Sequence, residues 1–447
     1  MNTIRRLLAR VVPQGAILLS ALTFAAYAMG LVRDRIFART YGAGPELDAY
    51  NAAFVLPELA LDVLVASGLT APFIPVFASL ARSGGEQAAR FAQTVLTGAV
   101  LVMGVTCVVL FVAAPATADV IAPGFDGPQR ERYVDLFRLM LATPILFAAS
   151  ITLGEVLVAE RRFLWYGLAP ILYNSGIVIG TVALHDALGI HAAAVGAVLG
   201  ATLHLAIRVI GIRRSTVRIR PRLEVRTPAF REFIRLMIPK MVAHPIEPLT
   251  FLFFTAIATT LAAGSVTAVS FARNFQSVPV SLIGVAFSLA AFPALSAAWA
   301  AGDRGAFVRL VRTNLVTIGG LTTLAAIGLV IVGPLAIEVL LGGGAFDADD
   351  VALTAGVLAA FALAVPFDSL SHLFARAVYA THNTILPVLA SVAGFGVTLA
   401  VTRGLVEDIG VIAIPLGFAA GMALKTVLLA GALLIRLRQA PVRDNRH

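Results

Sequence analysis

Long apolar runs separated by short polar segments fill almost the whole chain. A helix that crosses the ~30 Å hydrocarbon core of a bilayer needs about 20 mainly apolar residues. In lipid, only helices and closed barrels satisfy their backbone hydrogen bonds. By this measure the pattern predicts an all-α protein with about twelve membrane-spanning helices. The predicted spans are residues 11–32, 48–80, 91–118, 134–158, 164–184, 187–207, 236–262, 265–299, 310–333, 351–380, 383–402 and 410–435.

The composition agrees with a chain whose main solvent is lipid. Hydrophobic residues make up 59% of the 447 positions, charged residues 13%, and the mean hydropathy is +0.90. Soluble proteins average about 25% charged residues, so this chain has too few charges to cover soluble domains. The first apolar run is longer than the 7–15 residues of a signal-peptide core, and we interpret it as a retained helix.

The net charge of +9 reflects topology rather than an acidic partner. Arginines concentrate in alternate loops, and cytoplasmic loops of membrane proteins collect basic residues. This distribution predicts a multi-pass protein with both termini in the cytoplasm and no nucleic-acid partner. The single cysteine, Cys107, lies in an apolar run and is interpreted as a packing residue.

The chain divides into two similar halves. The only long polar stretch predicts a basic cytoplasmic linker at 212–235, which separates a six-helix lobe at 1–211 from a second six-helix lobe at 236–447 with a short cytoplasmic tail. Several short strings occur in both halves in the same order. They include Pro144…Arg161-Arg162-Phe163…Pro170 in the first half and Pro366…His382-Asn383-Thr384…Pro387 in the second. Two pseudo-symmetric lobes of this kind place a substrate site in a central cavity and work by alternating access.

Ionisable residues inside the predicted spans are candidates for this cavity. A charge at the bilayer centre costs ~2.5–3.5 kcal/mol on insertion scales and usually faces a partner or water. The candidates for the cavity or for ion coupling are Glu58, Asp62, Glu247, Asp368 and His372. One interpretation is a polar pathway coupled to sodium ions, protons or the membrane potential. The other is internal ion pairing, Asp368 with His372 and Glu247 with Lys240.

Arginines also occur where a bound anion would need them. Arg33, Arg35 and Arg39 follow the first span, with Asp34 and Asp48 nearby, and Arg273 lies about 14 Å into the eighth span. Because arginine binds phosphate bidentately, Arg33, Arg39 and Arg273 could together hold a pyrophosphate. Snorkelling to lipid phosphates is the alternative for Arg35.

Motifs of enzymatic chemistry do not occur in the sequence. No Gly-Lys pair exists, so a nucleotide-binding Walker A loop is excluded. The sequence has no Gly-x-Ser-x-Gly and no His-Glu-x-x-His, and one cysteine cannot build a thiolate zinc site. The sequence therefore predicts a non-enzymatic protein without a nucleotide, a metal or another cofactor.

Ordered strings along the whole chain resemble the MurJ/MviN proteins, the lipid II flippases of the multidrug/oligosaccharidyl-lipid/polysaccharide exporter superfamily. The strings are Arg33-Asp34…Ala38-Arg39…Gly42-Ala43-Gly44…Asp48-Ala49-Tyr50…Pro57, Ala122-Pro123-Gly124-Phe125, Arg162-Phe163…Pro170…Asn174, Gly284-Val285-Ala286…Phe292-Pro293-Ala294-Leu295-Ser296 and Gly344-Ala345-Phe346…Asp349. The resemblance implies two six-helix lobes, a cationic cavity and a location in the bacterial inner membrane. It implies a cargo of undecaprenyl-pyrophosphate-linked saccharide, moved from the inner to the outer leaflet for peptidoglycan synthesis, and contact with the cell-wall synthesis machinery.

The resemblance assigns substrate-binding roles to Arg33, Asp48 and Arg273. The chain departs from the family pattern at Ala26-Tyr27 and at Leu61-Asp62, where the family has arginines, and in having twelve predicted helices instead of fourteen. A relative that moves another polyprenyl-linked glycan is therefore a close alternative. Two further alternatives are a cation-coupled multidrug exporter of the same superfamily and a membrane scaffold that transports nothing.

Overall fold

Helices account for most of the residues that the structure describes. The computed structural model describes residues 14–215, 217–243 and 246–439, and 88% of these residues are helical. In these ranges the only β-type pairing is an isolated bridge between Gly343 and Phe346. The all-α prediction is therefore confirmed. Contacts divide the chain into two units, the first ending at Ala256 and the second beginning at Ile257. The predicted lobe boundaries at 211 and 236 stay a prediction.

The described part of the first unit begins with a helix that carries Arg33, Arg35 and Arg39, and it ends within a helix that crosses the boundary. Its helices are α1 Gln14–Tyr41, α2 Pro45–Leu61, α3 Ser67–Ser83, α4 Gly85–Ile121, α5 Gly127–Met140, α6 Ala142–Ala159, α7 Phe163–Leu188, α8 His191–Ile212, α9 Pro228–Ala243 and α10 Ile246–Ala258. An irregular segment at residues 217–227 joins α8 to α9.

The second unit repeats much of this order. Its helices are α11 Ser265–Pro279, α12 Ala286–Ala300, α13 Arg304–Leu340, α14 Ala348–Ala362, α15 Val365–Ala380, α16 Ile385–Ile409 and α17 Ala413–Gln439. Two helix starts are explained by side-chain caps that satisfy free backbone N–H groups. Asp303 accepts from the Ala306 amide at the start of α13, and Asp347 accepts from the amides of Asp349 and Asp350 at the start of α14.

Matching elements in the two units agree with the repeat read from the sequence. Both α4 and α13 have 37 residues. Both α7 and α16 end at a glycine of positive φ, Gly189 and Gly410. The sequence strings paired above also match in backbone geometry, because Arg161 and His382 both have a φ of 60°.

The long second and eighth predicted spans each contain a π-turn, a helical turn with i→i+5 hydrogen bonds. One occupies Asp62–Ala66, between α2 and α3, and the other occupies Val280–Val285, between α11 and α12. Pro57 precedes the first, and Pro279 directly precedes the second. A π-turn holds one residue more than a regular helical turn. Because proline has no backbone N–H to donate, it weakens the regular helical hydrogen bonding next to each π-turn.

Glycines let the last two helices of each repeat approach closely. In the first unit, a Cβ on Gly176 of α7 would overlap the Cα of Gly200 of α8, and one on Gly180 would overlap Gly196. In the second unit, Gly394 of α16 faces Gly421 of α17. Small residues at such interfaces are the usual basis of helix packing in membranes.

The predicted spans coincide with helices, although their number is not settled by length and hydropathy. Nine helical runs within the described residues are long and apolar enough to cross a membrane. One of them, Ile385–Gln439, contains two predicted spans, and the shorter α10 belongs to the predicted seventh. The protein is a multi-pass membrane protein, and the count of twelve stays a prediction.

Candidate functional site

Arg33 lies on α1 in a group of polar side chains, here named the Arg33 cluster: Arg33, Asp34, Glu58, Asp62 and Asn174. The Arg33 guanidinium donates to Asp34 Oδ1 from Nε at 3.0 Å and from one terminal nitrogen at 2.7 Å. The other terminal nitrogen donates to Asn174 Oδ1 on α7 at 3.1 Å. The Arg33 side chain nevertheless keeps 26% of its surface exposed. It is thus oriented from two sides while part of it stays accessible.

Glu58 of the next span approaches the same arginine, and Asp62 approaches Glu58. Glu58 is within electrostatic range of both Arg33 and Asp62, and its side chain is exposed. Asp62 opens the π-turn after α2. Tyr173, next to Asn174 on α7, is also within electrostatic range of Arg33 and Glu58. The Arg33 cluster therefore has one cation and three carboxyl groups. The positive charge of Arg33 is thus opposed by nearby acidic side chains.

Arg273 belongs to a second group, the Arg273 cluster: Arg273, Gln276, Asp368 and His372. One terminal nitrogen of Arg273 donates to Gln276 Oε1, one helical turn further along α11. The guanidinium also lies over the ring of Phe418, 5.4 Å from its centroid, which is a cation–π distance. The Arg273 side chain is partly buried.

Gln276 connects Arg273 to the predicted coupling residues of α15. Its side chain is fully buried, and its Nε2 donates to Asp368 Oδ2 at 3.5 Å. Asp368 Oδ1 lies 3.7 Å from His372 Nε2, one turn further along α15. The predicted pairing of Asp368 with His372 is thus present. It forms one end of a polar chain that leads from a histidine through a carboxylate and an amide to an arginine.

The remaining predicted site residues are Asp48, Arg39 and Glu247. Asp48 is buried in the first turn of α2, where a carboxylate complements the helix dipole. Glu58 is ten residues further on, ~15 Å along the helix. Arg39 is exposed in the last turn of α1, and Glu247 is exposed in the first turn of α10. His244 lies outside the described residues, and the pairing of Glu247 with Lys240 stays a prediction.

Sequence reasoning missed the two amides that orient the arginines. Asn174 appeared only as part of a matching string, and Gln276 did not appear at all. Both are polar side chains within apolar helices, and Gln276 follows Arg273 at the i+3 spacing that places side chains on one helix face. That spacing was the signal that could have identified Gln276.

A third polar group, in the first unit, was also missed, because Arg208 lies between the predicted span 187–207 and the basic linker. Arg208 is buried in α8 and donates to the backbone oxygen of Ser150 on α6 at 2.6 Å. The Ser150 hydroxyl lies 2.7 Å from His204 Nδ1, and the Arg208 guanidinium lies over the Tyr166 ring at 4.8 Å. Because these residues join α6, α7 and α8, their evident role is to hold three helices of the first unit together.

Comparisons with known proteins give a consistent family. The model of the lipid II flippase MurJ family matches residues 37–443. A probable lipid II flippase MurJ of Thermotoga maritima is 27% identical over 95% of this chain and 85% of its own length. The lipid II flippase MurJ of Burkholderia cenocepacia is 25% identical over 96% of this chain and 83% of its own length.

Solved structures agree on the fold. A lipid II flippase MurJ in an inward closed conformation is similar with a TM-score of 0.80 and 21% identity, covering 96% of this chain and 89% of that one. An inward-facing multidrug transporter of the MATE family also reaches a TM-score of 0.80, with 13% identity over 95% and 98% of the two chains. These structural similarities show a shared fold, and the sequence match decides between the families. The chain belongs to the lipid II flippase MurJ family.

Proposed function

We propose that this protein translocates an undecaprenyl-pyrophosphate-linked saccharide, lipid II, from the inner to the outer leaflet of the bacterial inner membrane by alternating access. The observation that carries the proposal is the family match over residues 37–443. The curated relatives named above are lipid II flippases or probable ones, and they align along most of this chain. The proposed activity is transport and not catalysis, with both termini in the cytoplasm and the cell-wall synthesis machinery as the natural partner.

In this proposal Arg33 and Arg273 bind the pyrophosphate. Each guanidinium is oriented by a neutral amide, Asn174 or Gln276, which uses some N–H groups and leaves the positive charge in place. A bidentate arginine–phosphate contact needs a guanidinium held in a fixed orientation. Arg39 and Asp48 are further candidates for substrate binding. The polyprenyl tail would stay in lipid.

The carboxylates beside Arg33 give the proposal a coupling step. When Glu58 and Asp62 are both ionised, they attract the Arg33 guanidinium and compete with an anionic cargo. Protonation, or binding of a sodium ion, would neutralise this pair, since two carboxylates four residues apart repel each other. A coupling cation and an anionic cargo would then favour the same state of the protein. Asp368 and His372 provide a similar step for Arg273, and Glu247 is a further candidate for coupling.

Complementation tests the proposal. A host whose own lipid II flippase is depleted expresses wild-type protein, Arg33→Ala or Arg273→Ala, with Arg312→Ala as a control that removes an exposed arginine outside both clusters. Protein levels are checked by immunoblotting. A membrane-impermeant reagent added to spheroplasts measures outer-leaflet lipid II. We expect growth and outer-leaflet lipid II with the wild type and the control, and neither with the two cluster variants.

The multidrug exporter remains a second candidate, because the Arg33 cluster has more carboxyl groups than cations and a cationic drug would favour such a site. The same strains test it. Failure of the wild type to support growth, together with increased resistance to cationic drugs that Asp62→Asn abolishes, would replace the flippase proposal with this one. Failure of the wild type with no gain in resistance would point to a different glycan or to a scaffold.

A further inference from the structure

The segment that joins α8 to α9 contains no helix, and its residues 217–226 are here named the strap. It is attached along one face of α4. The Gln93 side chain donates to the Arg218 oxygen at 2.7 Å, and the backbone amides of Arg222 and Glu224 donate to the hydroxyls of Thr97 and Thr94 at 3.1 and 3.3 Å. Val217 is 2% exposed and anchors one end. The strap therefore has a defined position on the helix.

That position is the border between the polar and the apolar surface of α4. On one side of the strap, Glu86 and Arg90 are exposed and form an ion pair. On the other side, beginning at Leu101, follows a row of exposed apolar residues: Leu101, Val102, Val105, Val108, Val109, Phe111 and Val112. Thr97 precedes Leu101 by four residues, or ~6 Å along the axis. Since the headgroup layer on each side of a bilayer is only about 5–8 Å thick, the strap lies at headgroup level.

The side chains of the strap suit that environment. Arg218, Arg220 and Arg226 are exposed, and among the described residues none of them is paired with a carboxylate. Between them, Ile219, Leu223 and Val225 are 47%, 53% and 44% exposed. Alternating guanidinium groups and uncovered aliphatic side chains match a layer in which phosphates lie directly above acyl chains.

Arg222 differs from its three neighbours. Its guanidinium donates to Glu224 Oε1 at 2.6 Å, and Glu224 also lies 4.0 Å from Arg90. The only carboxylate of the strap is thus engaged by two arginines, one of the strap and one of α4. This arrangement leaves the three exposed guanidinium groups as the charges that the strap presents to its surroundings.

We infer that the strap is a binding site for anionic phospholipid headgroups. The phosphates of lipids such as phosphatidylglycerol would contact Arg218, Arg220 and Arg226, while Ile219, Leu223 and Val225 enter the upper acyl-chain region. Such lipids would collect around the strap and fix the connection between α8 and α9 at one membrane surface. The site is separate from the pyrophosphate-binding residues proposed above and holds whether or not the chain transports lipid II.

A fluorescent label on the strap tests the inference. The Leu223→Cys variant in a Cys107→Ala background is labelled and reconstituted in neutral nanodiscs. One sample contains a small fraction of a phosphatidylglycerol tracer with a nitroxide headgroup, and a matched sample contains the same fraction of a phosphatidylcholine tracer with a nitroxide headgroup. If the anionic tracer collects around the strap, it quenches the label about fivefold more strongly than the neutral tracer. The preference should fall in 1 M salt, where charges are screened within ~3 Å.

Two triple variants with the same loss of charge provide the control. Arg218→Gln/Arg220→Gln/Arg226→Gln should reduce the quenching ratio of the two tracers to about one, whereas Arg82→Gln/Arg309→Gln/Arg312→Gln, exposed elsewhere, should leave it unchanged. Equal quenching by both tracers in the unaltered strap would overturn the inference without any variant. A preference that survives loss of the strap arginines, or disappears in the control, would also overturn it. The inference would also be overturned if soluble iodide quenched the label on the strap equally in neutral and in anionic nanodiscs.

Discussion

Arg161 and His382 occupy the same unusual backbone conformation in equivalent turns of the two units, each with a φ of 60°. Arg161 follows the end of α6, where the Arg162 amide donates to the Leu157 oxygen at 2.7 Å, as in a Schellman motif. That position is usually a glycine, because a Cβ in the left-handed region costs ~1–2 kcal/mol. In both turns, a residue with a large side chain thus occupies a position where the backbone conformation favours glycine.

Replacing His382 by glycine should stabilise the protein. His382→Gly relieves the left-handed strain and should raise the midpoint of thermal unfolding in detergent by about 1–2 °C. His382→Ala keeps the Cβ and serves as the matched control, with no expected increase. The midpoint is measured by tryptophan fluorescence. Equal midpoints for the glycine and alanine variants would show that the turn is unstrained.

Alanine at Gly176 should separate α7 from α8. The added Cβ would overlap the backbone of Gly200, which cannot rotate away as a side chain can. We expect Gly176→Ala to lower the free energy of unfolding by about 1–3 kcal/mol, measured by unfolding in mixed micelles. Gly98→Ala on α4 is the control, since no atom lies within 4 Å of its added Cβ. If both variants unfold alike, close packing of these helices is not what stabilises them.

Gly154 and Arg208 should be energetically coupled. A Cβ on Gly154 would overlap the Arg208 guanidinium, which is held by Ser150 and Tyr166. Gly154→Ala and Arg208→Ala should each destabilise the protein. The double variant should lose about 1 kcal/mol less than the sum, because the alanine methyl then fills vacated space. Strict additivity of the three free energies of unfolding would exclude this coupling.

Gln276 should support transport because its side chain is uncharged. Gln276→Glu places a carboxylate against Arg273 and should reduce outer-leaflet lipid II at least about tenfold, since the arginine charge is then cancelled locally. Gln276→Ala leaves that charge in place and should have a smaller effect. The spheroplast assay described above measures both at matched protein levels. If alanine impairs transport more than glutamate does, Gln276 acts by packing and not by preserving charge.

Asn174 allows the same test in the first unit. Its amide oxygen accepts from Arg33, so Asn174→Asp would add a fourth carboxyl group to the cluster. We expect Asn174→Asp to impair transport more strongly than Asn174→Ala. Ser175→Ala, at the next position of α7, is the control, because the Ser175 hydroxyl donates only to the backbone oxygen of Ile171. Equal loss in all three variants would indicate general damage to α7.

The sequence predicted the helices well because a membrane span has a simple requirement, about 20 apolar residues. It could not predict the breaks within the spans, such as the end of α5 at Met140 and of α14 at Ala362. These breaks depend on tertiary packing, and the apolar pattern runs through them unchanged.

For the candidate site, the sequence identified charged residues but not their partners. Arg33, Arg273, Asp368 and His372 are conspicuous because a charge within an apolar run is rare. Asn174 and Gln276 are neutral, and their importance follows only from distances. Arg208 was missed because it lies between a predicted span and the basic linker, and hydropathy alone does not show that its side chain is buried in α8.

The π-turns at Asp62–Ala66 and Val280–Val285 make the long spans tolerant to the deletion of one residue. Each holds one residue more than a regular helix needs, so deleting a residue there would restore ordinary i→i+4 bonding without opening a loop. The deletion would also turn everything downstream by ~100° about the helix axis. A shortened variant would therefore stay helical while presenting a different set of side chains to the lipid. In such helices, sequence length and surface chemistry can change in a single genetic step.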